Sequence, residues 1–290
     1  VDELASVMSD KPTTADGYPP ELADEAVAMC LYVATILGDQ LEDLVLVGGL
    51  VPYLIVDQAA VEERHVGSGD LDLGFSIGVL SDEKYREVSA RLRSHEFEPF
   101  KKEDGKARRQ MWHIPGRRVT IDFLIGPVPA GARPGKLQNL EPDFAAIVTE
   151  ALPLSFADCI AVPLEGTTVL GEKAARSVRV CGPAAFVVLK AYAFDNRGEN
   201  KDAYDLVYVL RNFGDEAITP VAQRFTAIAG TPEAAKALEI LARDFESVDH
   251  VGPKRYAAFL GDPDNEDWRQ DATGAVQAFL KAVGHGAGPT

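Results

Sequence analysis

Residues 69–77 read GDLDLGFSI, and their alternation limits what this stretch can become. Leu71, Leu73, Phe75 and Ile77 recur at every second position, the period of a strand with one apolar face. Asp70 and Asp72 then share the opposite face, roughly 7 Å apart along the strand. Two like charges at that spacing repel when partly buried, so the pair needs a cation. Carboxylate oxygens of this kind suit Mg²⁺. A second stretch, VTIDFLI at 119–125, has the same construction. Val119, Ile121, Phe123 and Ile125 form its apolar face, and Asp122 stands on the other. If the two strands pair, three carboxylates converge. An Asp-x-Asp on the solvent face of an edge strand is common without function, so the reading depends on what surrounds it.

The surroundings are ordered. LVLV at 44–47 reads as a buried strand, Gly48 and Gly49 end it, and LVPYLIVDQ at 50–58 follows as a helix. Glycines at a strand-to-helix turn let backbone N–H groups approach an anion where the helix terminus favours negative charge. Ser68, between Gly67 and Gly69, adds a hydroxyl. A plain tight turn explains the glycine pair equally well. SDEKYREVSARLRSH reads as an amphipathic helix capped by Ser81, with Tyr85, Val88 and Leu92 inward.

Elsewhere, Pro20 opens and Gly38 stops a helix, after a first dozen residues expected to form a loose arm. RRQMWHIPGRRVTIDFLIG gives two strands across a Pro-Gly turn. The Pro/Gly-rich loop GPVPAGARPGK follows, and SVRVC reads as a short strand. Beyond Gly182 and Pro183 the chain is helical. The expected fold is α/β (α+β): a small mixed sheet with helices over residues 1–182, a helical domain over 183–290, and a cleft between them.

The net charge of −16 argues against broad, nonspecific nucleic-acid binding. A local basic cluster, Lys101, Lys102, Lys106, Arg108, Arg109, Arg117 and Arg118, stands against that background. No apolar run approaches the ~18 to 20 residues of a membrane span. The polar, acidic start VDELASVMSDKPTT has no signal-peptide pattern, and its lack of an initiator Met reads as trimming or processing. Cys30, Cys159 and Cys181 lack metal-type spacing and read as reduced thiols of a cytoplasmic protein.

A second motif lies in FVVLKAYAFDNRGENKDAYDLVYVL. Lys190 sits among Phe186, Val187, Val188, Leu189 and Ala191, so it either snorkels or has a buried partner. Lys201, Asp202 and Asp205 are neighbours at helical spacing. A solvated helix start, with Asp202 at the N-terminal dipole, is the simpler alternative.

LVGGLVPYLIV, GSGDLDLGFSI and VTIDFLI together resemble the nucleotidyltransferase core of the DNA polymerase β-like superfamily. Lys190, the Arg197-Gly198 turn and Lys201-Asp202-x-x-Asp205 are similar to the signature of its AbiEii/AbiGii-type toxin family, which includes the mycobacterial MenT toxins. The resemblance spans residues 44–211; residues 212–290 carry no motif.

The resemblance implies a nucleoside triphosphate in the cleft, with Asp70 and Asp72 holding Mg²⁺ or Mn²⁺. Asp122 would complete a second metal site or accept the acceptor proton. Gly48, Gly49 and Ser68 would cradle the nucleotide with Lys190 and Lys201. Asp205 would hold a lysine in place or help handle the proton. The reaction would be attack of an acceptor hydroxyl on the α-phosphorus with loss of pyrophosphate. The implied acceptor is the 3′ end of a transfer RNA, contacted through the basic cluster, and the implied partner is a cognate antitoxin. Transfer to a small molecule or protein, a silent nucleotide-binding module, and a metal-dependent phosphohydrolase are the alternatives.

One position departs from the pattern. Relatives carry Arg or Lys shortly before the Asp-x-Asp; here stand Arg64, His65 and Val66. That contact is therefore absent or supplied from elsewhere. His65 reads as a bystander, and Trp112 and His113 as core or rim.

Overall fold

The computed structural model describes residues 11–76, 82–101, 105–128 and 131–285. Helix α1, Pro20–Leu37, starts at the expected proline and ends at Gly38, whose φ of 55° stops the helix. Its buried residues include Ala26, Met29, Val33 and Leu37. Strand β1, Leu44–Val47, is buried along its length. A turn at Gly48–Leu50 leads into α2, Val51–Ile55, shorter than the helix expected through Gln58. The Gln58 amide explains the early stop, because it donates to the carbonyls of Pro52 and Val56 at 3.2 and 3.1 Å.

Strand β2, Asp70–Phe75, runs antiparallel to β1 with Val47 opposite Asp72. Helix α3, Asp82–Ser94, buries Tyr85, Val88 and Leu92 as its periodicity requires; the cap expected at Ser81 lies outside the described residues. Then come β3 (Glu98–Lys101), β4 (Ala107–His113) and β5 (Thr120–Ile125). The expected hairpin across Pro115-Gly116 forms between β4 and β5. Strand β5 also lies parallel to β2, placing Asp122 directly opposite Asp72.

Two hairpins exceed the sequence reading. β6 (Leu137–Glu141) pairs with β7 (Phe144–Val148), and β7 adds in parallel to the end of β5. FAAIV is a short apolar run without alternation, which periodicity cannot assign to strand or helix. After the helical turn α4, Leu154–Ala157, come β8 (Cys159–Thr167) and β9 (Lys173–Cys181), a nine-residue ladder of which SVRVC is only the inner end. The outer end is exposed and rich in Ala, Gly and Lys, so its local strand signal is weak. The sheet order is β3-β4-β5-β2-β1-β9-β8, with β7 and β6 attached at β5. It is mixed, and α1 packs against β8 and β9.

The helices that follow are α5 (Pro183–Arg197), α6 (Asn200–Asn212), α7 (Thr219–Phe225), α8 (Pro232–Asp244), α9 (Val251–Leu260) and α10 (Glu266–Ala282). Helix α6 lies against α5, α9 and α10. The motif-free residues beyond 211 thus enclose the motif-bearing helix, burying Phe225, Phe245, Phe259 and Phe279. Buried apolar side chains run as one cluster from Leu46 and Phe123 through Val187 to Phe279. The three cysteines are free, with Cys30 and Cys181 buried. Among the described residues no helix is long and apolar enough to cross a membrane.

One polar contact joins sheet and helices. Asp158, 3% exposed, accepts from the Ala185 N–H at 2.9 Å, satisfying a donor in the first turn of α5. Its other oxygen accepts from Arg224 Nε of α7 at 2.7 Å. A Cβ at Gly182, which starts α5, would meet that carboxylate at 2.3 Å, so the approach requires glycine. Asp158→Ala leaves an orphaned donor at the helix start and removes the carboxylate partner of a part-exposed guanidinium that keeps only the Cys159 carbonyl. It should cost about 1–2 kcal/mol in chemical denaturation, mostly through the lost helix-start acceptor. A loss below ~0.5 kcal/mol would show that the contact does not anchor α5.

Candidate functional site

Asp70, Asp72 and Asp122 each present an oxygen within 4.8 Å of the others. The strand pleat aims all three to one side, while Leu71, Leu73, Phe75, Ile121 and Phe123 are buried on the other. Rings seal that apolar side: Phe75 stacks on Phe123 at 5.3 Å, and Phe144 meets Phe123 edge-on at 4.9 Å. Burial, with the Asp70 charge adding, pushes the Asp72 carboxyl up to about 6. Burial, with Asp72 and then Asp70 adding, pushes Asp122 up to about 8. Burial acts on Asp70 too, but Lys11 and the Ser68 hydroxyl outweigh it and hold this carboxyl below its usual range.

The glycine pair closes one wall. Gly48 has φ of 77°, and a Cβ there would lie 1.8 Å from Asp72 Oδ2. A Cβ on Gly49 would lie 2.8 Å from Ser68 Oγ and 3.2 Å from Lys201 Nζ. The turn can approach both the carboxylates and the lysine because it has no side chains. Ser68 Oγ donates to Asp70 Oδ1.

Facing the sheet are α5 and α6. Lys190 Nζ donates to Asp202 Oδ1 at 2.9 Å and forms a close ion pair with Asp205 Oδ2 at 2.6 Å. Lys201 Nζ donates to Asp205 Oδ1 at 2.7 Å. Arg197 grips Asp202 through Nε and Nη2 at 2.7 and 2.8 Å. Burial would lower Lys190, but the Asp202 and Asp205 charges override it and keep the ammonium firmly charged. For Lys201 burial prevails over Asp205, and its value falls. The helix side thus carries three cations against two carboxylates, opposite three carboxylates on the sheet side. Between them lies a cavity of about 220 Å³ lined by Gly48, Gly49, Asp70, Asp72, Lys190 and Lys201, among others.

The cation expected next to the Asp-x-Asp comes from a remote part of the chain. Lys11 Nζ donates to Asp70 Oδ2 at 2.6 Å. Its segment is held by Tyr18, whose hydroxyl donates to the Pro12 carbonyl at 3.3 Å, and by Asn200, whose amide donates to the Thr13 carbonyl at 3.0 Å. From Lys11 onward the expected loose arm is therefore a docked segment; residues 1–10 lie outside the described residues. An ammonium on Asp70 is a built-in test of the donor set, since these oxygens accept positive charge. Three carboxylates so grouped fit a hard divalent ion.

The structure brings together Gly48, Gly49, Ser68, Asp70, Asp72, Asp122, Lys190, Lys201 and Asp205. Asp202 and Asp205 are fully buried, not on a solvated helix start. His65, read as a bystander, is buried against Asp205 at 2.9 Å. Trp112 is core, and His113 is half-buried beside Phe100. Within the basic cluster, Arg118 pairs with Glu25 and lines the cavity, Arg109 donates to the Pro142 carbonyl, and Lys102 lies outside the described residues. Nothing in the sequence around Lys11 marks it as a site residue, whereas Arg197 sits in the turn of the downstream motif.

Residues 34–277 match a family model described as "Nucleotidyl transferase AbiEii toxin, Type IV TA system". The match continues well past residue 211, where recognisable motifs end. No curated protein matches the chain. Among solved structures, the solution structure of antibiotic-resistance factor ANT(2'')-Ia is similar at 15% identity. The alignment covers 73% of this chain and 88% of that one, with a TM-score of 0.33, too low to bear on fold or chemistry.

The raised carboxyls have a consequence for stability. A carboxyl held above its ordinary value binds its proton more tightly folded than unfolded. Its contribution is present at low pH and is lost as pH rises through the folded value. In EDTA the melting temperature should therefore fall between about pH 6.5 and 8 through Asp122; below that window Asp72 acts in the same direction, but His65, kept neutral by burial, acts against it. Asp122→Asn should raise stability at pH 8 by about 1 kcal/mol or more, roughly 2–4 °C. A variant melting at or below wild type at pH 8 would contradict the crowding of charge.

Proposed function

Because the chain belongs to the AbiEii family of nucleotidyl transferase toxins of type IV toxin–antitoxin systems, we propose that it transfers a nucleoside monophosphate from a nucleoside triphosphate to an acceptor hydroxyl. The acceptor we assign is the 3′ end of a transfer RNA, and the partner is a cognate antitoxin protein. The observation that carries this reading is the opposition of charge across one cavity: Asp70 and Asp72, with Asp122 grouped beside them, against Lys190, Lys201 and Arg197. A polyanion needs the cations, and the carboxylates need a metal to tolerate that polyanion beside them.

Asp70, Asp72 and Asp122 would hold Mg²⁺, with Mn²⁺ as a substitute, and the ion supplies positive charge to the phosphate oxygens. The other roles belong to the chain. The Gly48-Gly49 turn, free of side chains, gives the triphosphate backbone contact. Lys190 and Lys201, locked on Asp205, present fixed positive charge that need not reorganise as charge moves to the leaving group. The acceptor oxygen attacks the α-phosphorus as the bond to the β-phosphate oxygen breaks, and pyrophosphate departs. Asp122, opposite Asp72 on the neighbouring strand, either completes a second metal site or takes the acceptor proton on a carboxylate oxygen. Arg118, at the edge of the cavity, and the neighbouring basic strand offer contacts for an RNA backbone.

The test is incubation with each labelled nucleoside triphosphate, Mg²⁺ and total RNA. Label should appear at the 3′ end of RNA of transfer-RNA size, with pyrophosphate released. Asp72→Ala should reduce transfer on the order of 10³-fold with an intact folding transition. Undiminished transfer by that variant overturns the reading. Label on a protein or small molecule without RNA moves the acceptor, and release of inorganic phosphate makes the protein a hydrolase.

A further inference from the structure

His65 is 2% exposed, in the loop that leads into β2. Its Nδ1 accepts from the Gly67 N–H at 3.0 Å. An accepting Nδ1 places the proton on Nε2, which therefore donates to Asp205 Oδ1 at 2.9 Å. The ring is stacked against Tyr204 at 5.1 Å and edge-on to Tyr208 at 4.8 Å, so it has no freedom to turn. The His65 N–H also donates to Gln58 Oε1 at 2.9 Å, and Tyr208 donates to the same oxygen at 3.2 Å.

Both ends of this imidazole touch the site's framework. At one end, Gly67 has φ of 75°, and a Cβ there would meet Ala23 at 2.5 Å, so the turn is pressed onto α1. Ser68 follows at once and binds Asp70. At the other end, Asp205 holds Lys201 with the oxygen that His65 binds and Lys190 with the other. A buried carboxylate shared by two ammonium groups can rotate to favour either. A third, directional bond from a fixed neutral donor removes that freedom. Burial keeps the imidazole uncharged, down to about 4, so it adds no further cation to the pair.

We propose that His65 is a positioning residue for nucleotidyl transfer. It fixes the Asp205 carboxylate so that Lys190 and Lys201 are presented to the triphosphate at a set distance from Asp70 and Asp72. The inference rests on the transfer reading above, and it concerns the lysines, not the metal. Its functional bond is Nε2–H to Asp205, and the Nδ1 bond serves to select that tautomer.

Two variants separate the bonds. His65→Gln keeps an N–H donor at the Nε2 reach, and His65→Asn keeps an acceptor at the Nδ1 reach. Transfer kinetics and calorimetric binding of a non-hydrolysable triphosphate should show His65→Asn weakened about tenfold or more. His65→Gln should stay within about threefold of wild type, and Mg²⁺ binding should be unchanged in both. Equal losses in the two variants, or losses that only follow melting temperature, overturn the proposal. A measurement on the unmodified protein guards against misfolding: ¹⁵N NMR should show His65 as the Nε2–H tautomer, with Nε2 shifting when the triphosphate analogue saturates. A Nδ1–H tautomer, or no shift at saturation, also overturns it. Failure of the transfer reading has its own signature: the wild-type protein neither transfers nor binds the analogue.

Discussion

Three carboxylates within 4.8 Å of one another are a source of strain that strand pairing imposes and the rest of the molecule must offset. The parallel register of β2 and β5 sets Asp72 beside Asp122, and the pleat sets Asp70 on the same face. Repulsion among them would favour separation, yet their strands are fixed by a buried apolar layer of Leu71, Leu73, Phe75, Ile121 and Phe123. Hydrophobic burial on one side of the sheet thus holds together charges that electrostatics would push apart on the other. This is a common way to store a demand for cations at a functional site.

The cations that answer the demand are prepared in their own network. Lys190 and Lys201 would be costly to bury alone, and they are paired with Asp202 and Asp205; Arg197, at the exposed rim, pairs with Asp202 as well. Those carboxylates, buried at the cavity wall, are committed to holding the lysines and Arg197. Asp205 is the busiest of them, with Lys190, Lys201 and His65 all within 3 Å. The helices α7–α10 have no motif, but α9 and α10 pack on α6, and α7 and α8 on α5, and so keep Asp205 and Lys190 in place.

The β2 and β5 strands, the glycine turn and the lysine-bearing helices were legible because each has a local signature. Alternation identifies a strand, glycine at a strand end identifies a turn, and a lone lysine among apolar residues asks for a partner. The β6–β7 hairpin and the outer part of β8–β9 lacked such signatures. FAAIV does not alternate because it is buried on both faces, and the outer hairpin is exposed on both. His65 was misread for a related reason: a histidine in a loop carries no sign of burial, and its partner lies 140 residues away.

By itself the sequence determined which residues could act together on one element: Asp70 with Asp72, Asp202 with Asp205, and Gly48 with Gly49. Periods of 2 and 3.6 are properties of the backbone, so they can be read without knowing the fold. The tertiary structure alone decided which elements meet. It brought Lys11 to Asp70 where a neighbouring basic residue was expected, and His65 to Asp205. Such pairings follow from the packing of one continuous core, and packing depends on shape and volume across the whole chain, which leave no periodic trace in any part of it.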